Sequence, residues 1–313
     1  MAFKRTNYGK DGGNKPEPPK RAVVKKAASD TPAMPKIEET SITGEGSVHR
    51  ALERGWIDFF RKIGGNTILF FDYLGGLFQL AVQTLRALFR YRFPFRSFLE
   101  QCEFVGNKSL SLICLVSVFT GMVFSLQFAV GLGRFGLKIY IGNVIGLAIT
   151  RELGPVLVSL MLAARVGAGI AAELGSMVVT EQVLAIEALG ANPIHKLVVP
   201  RVMATTLAAP ILATIGTVIG IIGGMFITIM EAGVTARFYF DQVRRTVEVD
   251  DFFSGLAKTV FFGFFIGLIA CYQGLRTSGG TVGVGKATTY AVVISSLMVF
   301  IADFFLTKLF IIL

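Results

Sequence analysis

Histidine is nearly absent from this chain, with only His49 and His195, and cysteine amounts to Cys102, Cys114 and Cys271, none of them in a CxxC pair. The first shortage argues against His-based metal chemistry, and the second supports neither a disulfide framework nor a zinc site. Charge is scarce as well: 17% of the 313 residues are Asp, Glu, Lys or Arg, against about 25% in an average soluble domain. With 53% hydrophobic residues and a mean hydropathy of +0.63, much of the chain expects lipid or a helical neighbour around it, which argues against a soluble enzyme. No Ser/His/Asp triad and no paired metal-binding carboxylates emerge, so neither enzymatic activity nor a metal site is expected.

The charge that is present is unevenly placed. Residues 1–50 hold ten Lys/Arg against six Asp/Glu, four of the chain's ten net positive charges, and five of its ten prolines. Lacking apolar periodicity, this segment is expected to be a disordered, basic, cytoplasmic tail. It has no apolar run of the kind found in a secretory signal, and its acidic residues fit a transit peptide poorly. Such a tail serves either as a solvated arm or as a basic arm for anionic lipid or a partner. The remaining +6 reads as a topological signal and not as a nucleic-acid surface.

From Ala51 the character changes. Arg54, Arg61 and Lys62 flank Trp56, Phe59 and Phe60, as in a helix lying in the membrane interface. The run 64–85 is long enough to cross, since about 20 apolar residues span a bilayer. A crossing there would put the basic tail and Arg86, Arg90, Arg92 and Arg96 on opposite sides, against the positive-inside bias. Residues 51–108 are therefore expected to be interfacial, elbow-like helices, with 51–90 lying on or dipping into the cytoplasmic leaflet. Five spans are expected at about 109–131, 140–172, 202–229, 257–275 and 289–312. With a cytoplasmic N-terminus, the 230–256 loop falls outside and carries Glu231, Asp241, Glu248, Asp250 and Asp251 against Arg237, Arg244 and Arg245. Gly216, Gly220 and Gly224 stand on one helical face, as do Gly142 with Gly146 and Gly263 with Gly267, a pattern that allows close helix packing. The fold class is thus an all-α integral membrane protein, its permease-like bundle covering 109–313.

Some polar groups interrupt the apolar runs. Thr150-Arg151-Glu152-Leu153-Gly154-Pro155 places two charges inside the second span, where each costs roughly 2.5–3.5 kcal/mol on insertion scales. They must face each other, a cavity or a polar ligand. Pro155 lacks an N–H, so it should kink the helix and free the carbonyl of Arg151. Arg165 and Glu173 are expected near the cytoplasmic interface, where long side chains snorkel. Between the second and third spans, Thr180 is placed to cap a short helix whose first turn carries Glu181 and which Gly190 ends. Val183, Leu184, Ile186 and Leu189 give that helix an apolar surface suited to docking, or to resting on the membrane. Gly280 to Lys286 has the spacing of a phosphate loop, but Ala287 stands where a hydroxyl should coordinate magnesium and no strand precedes it. A glycine-rich turn exposing Lys286 is the plainer reading.

Taken in order, Arg151-Glu152-Leu153-Gly154-Pro155, Ala164-Arg165-Val166-Gly167-Ala168, Ala172-Glu173-Leu174-Gly175, Thr180-Glu181-Gln182 and Glu187-Ala188-Leu189-Gly190 resemble the MlaE-type permease family. Thr277-Ser278, Gly283 and Lys286-Ala287-Thr288-Thr289 extend the resemblance over about 51–313, while the long tail departs from it. Members are membrane subunits of ABC lipid transporters that work with MCE-domain proteins. The resemblance implies a homodimer in the inner (cytoplasmic) membrane, a separate ATPase subunit that uses ATP and Mg, an MCE-domain protein, and phospholipid as cargo. It implies no enzymatic activity or cofactor in this chain. The segment Thr180 to Gly190 would be the coupling helix, with Thr180, Glu181, Gln182, Glu187, Leu189 and Gly190 facing the ATPase. Arg151 and Glu152 match the family's charged pair near a lipid pocket between two copies, and Phe124, Gln127, Phe128, Leu132 and Phe135 occupy the region that lines it. The rival reading is a self-sufficient channel or secondary transporter using Arg151, Glu152 and Asp303 as an ion path.

Overall fold

A backbone amide inside a long apolar run finds its hydrogen-bond partner only within its own helix, and among the described residues every regular element is helical. The computed structural model describes residues 67, 68 and 71–312. The readings of the 1–50 tail and of the segment around Trp56, Phe59 and Phe60 lie outside the described residues.

Helix α1 includes 71–90 and is amphipathic. Leu77, Leu80, Thr84 and Ala87 are buried at helical spacing, whereas Phe78 and Phe89 are exposed. Its N-terminal turns are clasped to the far end of another helix: Tyr73 accepts a hydrogen bond from Gln273 at 3.2 Å, and Asp72 pairs with Arg276 at 3.6 Å. Burial beside that clasp raises the Tyr73 phenol above its ordinary range, so it stays neutral and polar.

Five helical runs are long and apolar enough to cross a membrane: Phe95–Gly133, Lys138–Val179, Ile194–Ala232, Val249–Leu275 and Gly280–Phe310. All five are longer than the apolar stretches alone suggest: the first begins at Phe95 against an expected 109, the third at Ile194 against 202, the fourth at Val249 against 257 and the fifth at Gly280 against 289, and the second runs on to Val179. The first comprises α2 (Phe95–Val105) and α3 (Asn107–Gly133), joined at Gly106. The second comprises α4 (Ile141–Ala148), α5 (Gly154–Leu162) and α6 (Ala168–Val179), separated by π-helical turns at Ile149–Leu153 and Ala163–Gly167. The short α7 (Gln182–Ala188) precedes α8 (Val199–Ala232), itself entered by a π turn at Ile194–Val198.

The 230–256 connection, expected as a loop, is largely helix. Gly233 closes α8 at φ +67, then α9 (Ala236–Thr246) and α10 (Val249–Leu275) follow. Paired N-terminal caps explain this: Thr235 accepts from the Phe238 amide at 3.4 Å, and Glu248 with Asp251 forms a capping box. Tyr239 anchors α9 by donating to the Ile221 carbonyl at 3.2 Å. Its burial pushes the phenol pKa far up, which keeps that donor in place at any physiological pH. The final helix, α11, runs Gly280–Ile312.

Small residues set the packing. Gly216, Gly220, Gly223 and Gly224 of α8 meet α3, α4 and α5, and Ser125 and Thr228 share a hydroxyl hydrogen bond of 2.7 Å across the α3–α8 seam. Gly263 and Gly267 of α10 lie on α8, and Gly142 and Gly146 of α4 lie on α9. All three glycine patterns seen in the sequence therefore serve close packing within the chain, where dispersion and hydrogen bonding replace the hydrophobic force. The main core joins α5, α6, α8 and α10 through residues such as Val158, Ile170, Val202, Leu212, Phe262 and Ile266.

Candidate functional site

The π turn at Ile149–Leu153 and the N-terminal Pro155 of α5 together break the ordinary backbone ladder. The Arg151 carbonyl, expected to be freed there, accepts a hydrogen bond from Lys258 Nζ of α10 at 3.2 Å. The same ammonium lies 2.9 Å from Glu152 Oε2 and 3.4 Å from Asp303 Oδ1. It also donates to Thr307 Oγ1 at 2.6 Å, and that hydroxyl donates onward to Glu152 at 3.2 Å. Three runs of helix thus converge on one lysine. Its side chain is 2% exposed, whereas Glu152 and Asp303 are 37% and 21% exposed. The lysine is therefore the hidden member, and the carboxylates form its open side.

Arg151 and Glu152 do not pair with each other. Arg151 Nε turns to Asp251 Oδ1 of α10 at 3.3 Å, while Glu152 turns to Lys258. Successive positions on a helical turn point in different directions, so neighbouring charges find separate partners. The open side of the Lys258 cluster borders a groove of about 480 Å³, whose polar residues are Glu152, Asp303, Thr307 and Lys308. Its apolar walls are Phe300, Phe304 and Ile312.

The α3 residues named from the sequence sit elsewhere. Phe124 stacks loosely on Phe128, ring centres 6.5 Å apart. Phe128 and Leu132 pack on a small cluster of Ala129, Ile141, Ile145 and Ile149. Gln127 is exposed, as is Phe135 at the helix end. Within a single chain none of these five borders the groove beside Glu152.

At the opposite end of the second run, Thr180 does not cap α7. Its hydroxyl donates back to the Ser176 carbonyl at 2.8 Å, so Thr180 is the C-cap of α6 and its side chain is taken from capping α7. Glu181 instead occupies the N-cap in a left-handed conformation, φ 60, and Gln182 begins α7. That conformation costs a residue with a Cβ of order 1–3 kcal/mol. Gly190, at φ +74, closes the segment. Val183 and Ile186 pack toward the core, whereas Glu181, Gln182, Glu187 and Leu189 are exposed, Leu189 at 86%. The result is a short helix with one side anchored and an acidic and leucine-bearing side free.

Arg165 and Glu173 each have a partner within the bundle. Arg165 donates to Ser109 at 2.8 Å, and Glu173 pairs with buried Arg201 at 2.7 Å. The Gly280 to Lys286 segment forms the first turns of α11, with Gly279 and Gly280 at φ +87 and +67. It does not follow a strand, so the phosphate-loop spacing has no phosphate-loop context.

Lys258 is the functional candidate that sequence reading passed over. It stands close enough to the start of an apolar run to be taken for an interfacial flank. The signal was its sign: Lys258 is the one Lys or Arg in Val249–Leu275, and Glu152 and Asp303 are anions inside two other apolar runs, so the opposite charges need one another in an apolar medium.

A family model described as Permease MlaE matches residues 98–309. A probable ABC transporter permease protein of Rickettsia felis is 38% identical over 254 residues, covering 81% of this chain and 98% of the relative. One from Synechocystis sp. is 40% identical over 241 residues, covering 77% and 92%. A chloroplastic protein of Arabidopsis thaliana named trigalactosyldiacylglycerol 1 is 39% identical over 231 residues, covering 74% and 66%.

Proposed function

The chain belongs to the MlaE permease family and is an ABC transporter permease, and on that basis we propose that it moves a phospholipid between the inner membrane and an MCE-domain protein. The observation that carries the lipid assignment is the Lys258 cluster, a polar centre held between apolar helices with its carboxylate side toward a groove walled by phenylalanine. A phospholipid needs an apolar slot for its chains and polar partners for its headgroup, and both lie at one level of the bundle. The Arabidopsis relative, whose name is that of a glycolipid, supports a lipid cargo in general and not a phosphate-bearing one.

Two copies of the chain form the working unit, and the pocket lies between them, bringing the α3 surface of Phe124, Gln127, Phe128, Leu132 and Phe135 toward the shared space. Arg151 and Glu152 act through α10: Arg151 fixes its first turn through Asp251, and Glu152 holds Lys258. A separate ATPase subunit binds ATP and Mg on the cytoplasmic side, where the N-terminus also lies. It seats the free side of α7 together with its flanking residues, Thr180 to Gly190. Closure of the ATPase pair changes the spacing of the two α7 helices, narrows the pocket and expels the lipid.

The coupling assignment is tested by charge reversal. Glu181→Lys combined with Glu187→Lys should abolish co-purification of the ATPase and cut ATP-driven lipid transfer at least tenfold. Thermal stability of the permease should be unchanged, because both side chains are exposed. Unaltered co-purification would contradict the role given to α7.

A further inference from the structure

Helix α1 is tied at both ends to one side of the bundle. At its start, Asp72 pairs with Arg276 at 3.6 Å and Tyr73 accepts from Gln273, both at the C-terminal end of α10. Just past its other end, the Arg92 carbonyl accepts a hydrogen bond at 3.0 Å from His195, in the π turn that enters α8. Tyr91 packs on the same imidazole, ring centres 5.0 Å apart. Successive spans alternate in direction, so the end of α10 and the start of α8 lie on the same side, the one that carries α7. A helix held this way lies along the end of the bundle and does not cross it.

The outward surface of α1 carries two unlike stripes. Leu74, Phe78, Leu85 and Phe89 recur at helical spacing as an exposed apolar stripe, clear of the buried Leu77, Leu80, Thr84 and Ala87. Beside it Gln79, Arg86 and Arg90 form an exposed polar stripe, and the connection to α2 adds exposed Arg92. Such a helix lays its rings among acyl chains and its guanidinium groups among headgroups. The protein does not answer this charge itself. No Asp or Glu occurs from 74 to 99. Arg96 is taken by Glu100 at 3.5 Å, and exposed Glu103 is offset in number by exposed Lys196, next to His195. Arg86, Arg90 and Arg92 make no ion pair with any carboxylate among the described residues, Glu181 and Glu187 of α7 included. Three positive charges are left at the end of one interfacial helix.

We infer that Arg86, Arg90 and Arg92 bind the phosphates of anionic phospholipid in the leaflet on the α7 side, with the lipid chains against Phe78, Leu85 and Phe89. This lipid belongs to the permease's surroundings and not to its cargo, so the inference stands apart from the preceding section. A phosphatidylglycerol headgroup brings a full negative charge, and each guanidinium can meet its phosphate with paired N–H donors. A zwitterionic headgroup brings its own cation to the same surface and gains less. The attraction acts within a Debye length and weakens with salt. Through Arg92 and Tyr91, His195 then ties the turn after α7 to the same headgroup layer.

The test uses the full-length permease in proteoliposomes of equal parts dioleoyl phosphatidylglycerol and dioleoyl phosphatidylcholine. After extraction in mild detergent and purification, the retained lipid is quantified by mass spectrometry. Phosphatidylglycerol should be enriched about tenfold over phosphatidylcholine when extraction is done at about 50 mM salt, and less than about threefold at about 0.5 M. Combining Arg86→Gln, Arg90→Gln and Arg92→Gln should bring the low-salt enrichment below about twofold. Its thermal stability in phosphatidylcholine should match wild type, because all three side chains are exposed. Arg237→Gln, Arg244→Gln and Arg245→Gln together remove the same charge from exposed positions of α9, between α8 and α10 at the other end of the bundle, and should leave the enrichment as in wild type. Equal retention of the two lipids by the wild-type protein, or the same fall in both triple variants, would overturn the site. Persistent enrichment in the first triple variant, with the ATPase no longer co-purifying, would also overturn it and give the arginines to a protein partner.

Discussion

Lys258→Met should be the most damaging single change in the polar centre. It removes the cation that Glu152 and Asp303 share, with Lys258 only 2% exposed. Breaking a buried pair by deleting one partner typically costs about 3–5 kcal/mol, because the other charge is left uncompensated. Here two carboxylates lose their partner, and Thr307 and the Arg151 carbonyl lose a donor. The expected outcome is a clear fall in thermal stability in detergent and at least a tenfold loss of lipid transfer. Adding Glu152→Gln to Lys258→Met should recover part of the stability, since the second change removes one stranded charge; residues in one network are not additive. A Lys258→Met protein of wild-type stability and transport would show that the cluster contributes neither.

Gly121→Val should prevent the bundle from assembling. A Cβ at this position would run into the Gly220 backbone carbonyl, and backbone atoms of a facing helix have no rotamer with which to withdraw. Overpacking a close-packed interior costs typically 1–3 kcal/mol, and more where the obstacle is rigid. Separating α3 from α8 would also break the Ser125–Thr228 hydroxyl bond and open the Gly223 approach to Val118. Little folded protein should survive membrane extraction and size-exclusion chromatography. Gly131→Val is the matched control on the same helix, where an added Cβ meets nothing within 4 Å; it should behave as wild type. Equal behaviour of the two variants would mean that the α3–α8 seam is looser than the geometry implies.

The features legible in the sequence were those that depend on one helix at a time. Length and apolar character revealed five spanning helices, and four-residue glycine spacing revealed faces built for close approach. Pro155 revealed a freed carbonyl at Arg151. What stayed hidden was which residues meet across the bundle. Lys258 lies 106 residues from Glu152 and has no periodic signature, so its partner is fixed only when α10 and α11 close around the π turn. For the same reason the choice left open for Arg151 and Glu152, between each other, a cavity and a polar ligand, is settled only by separate partners on α10. Thr180 failed as the cap of α7 through local competition: Ser176 offered its hydroxyl a carbonyl one turn back. In the 230–256 connection, expected as a loop, two of the acidic residues, Glu248 and Asp251, are the capping box of α10.

Most direct of all is a transfer assay with the permease and its ATPase in proteoliposomes carrying a labelled phospholipid, followed by counting of label on an MCE-domain acceptor outside. Transfer should require ATP and Mg together and should cease when either the ATPase or the nucleotide is omitted. Lipid transfer indifferent to ATP, or ion flux through the permease with no ATPase present, would contradict a lipid-moving ABC permease and favour an autonomous channel through the same intramembrane charges.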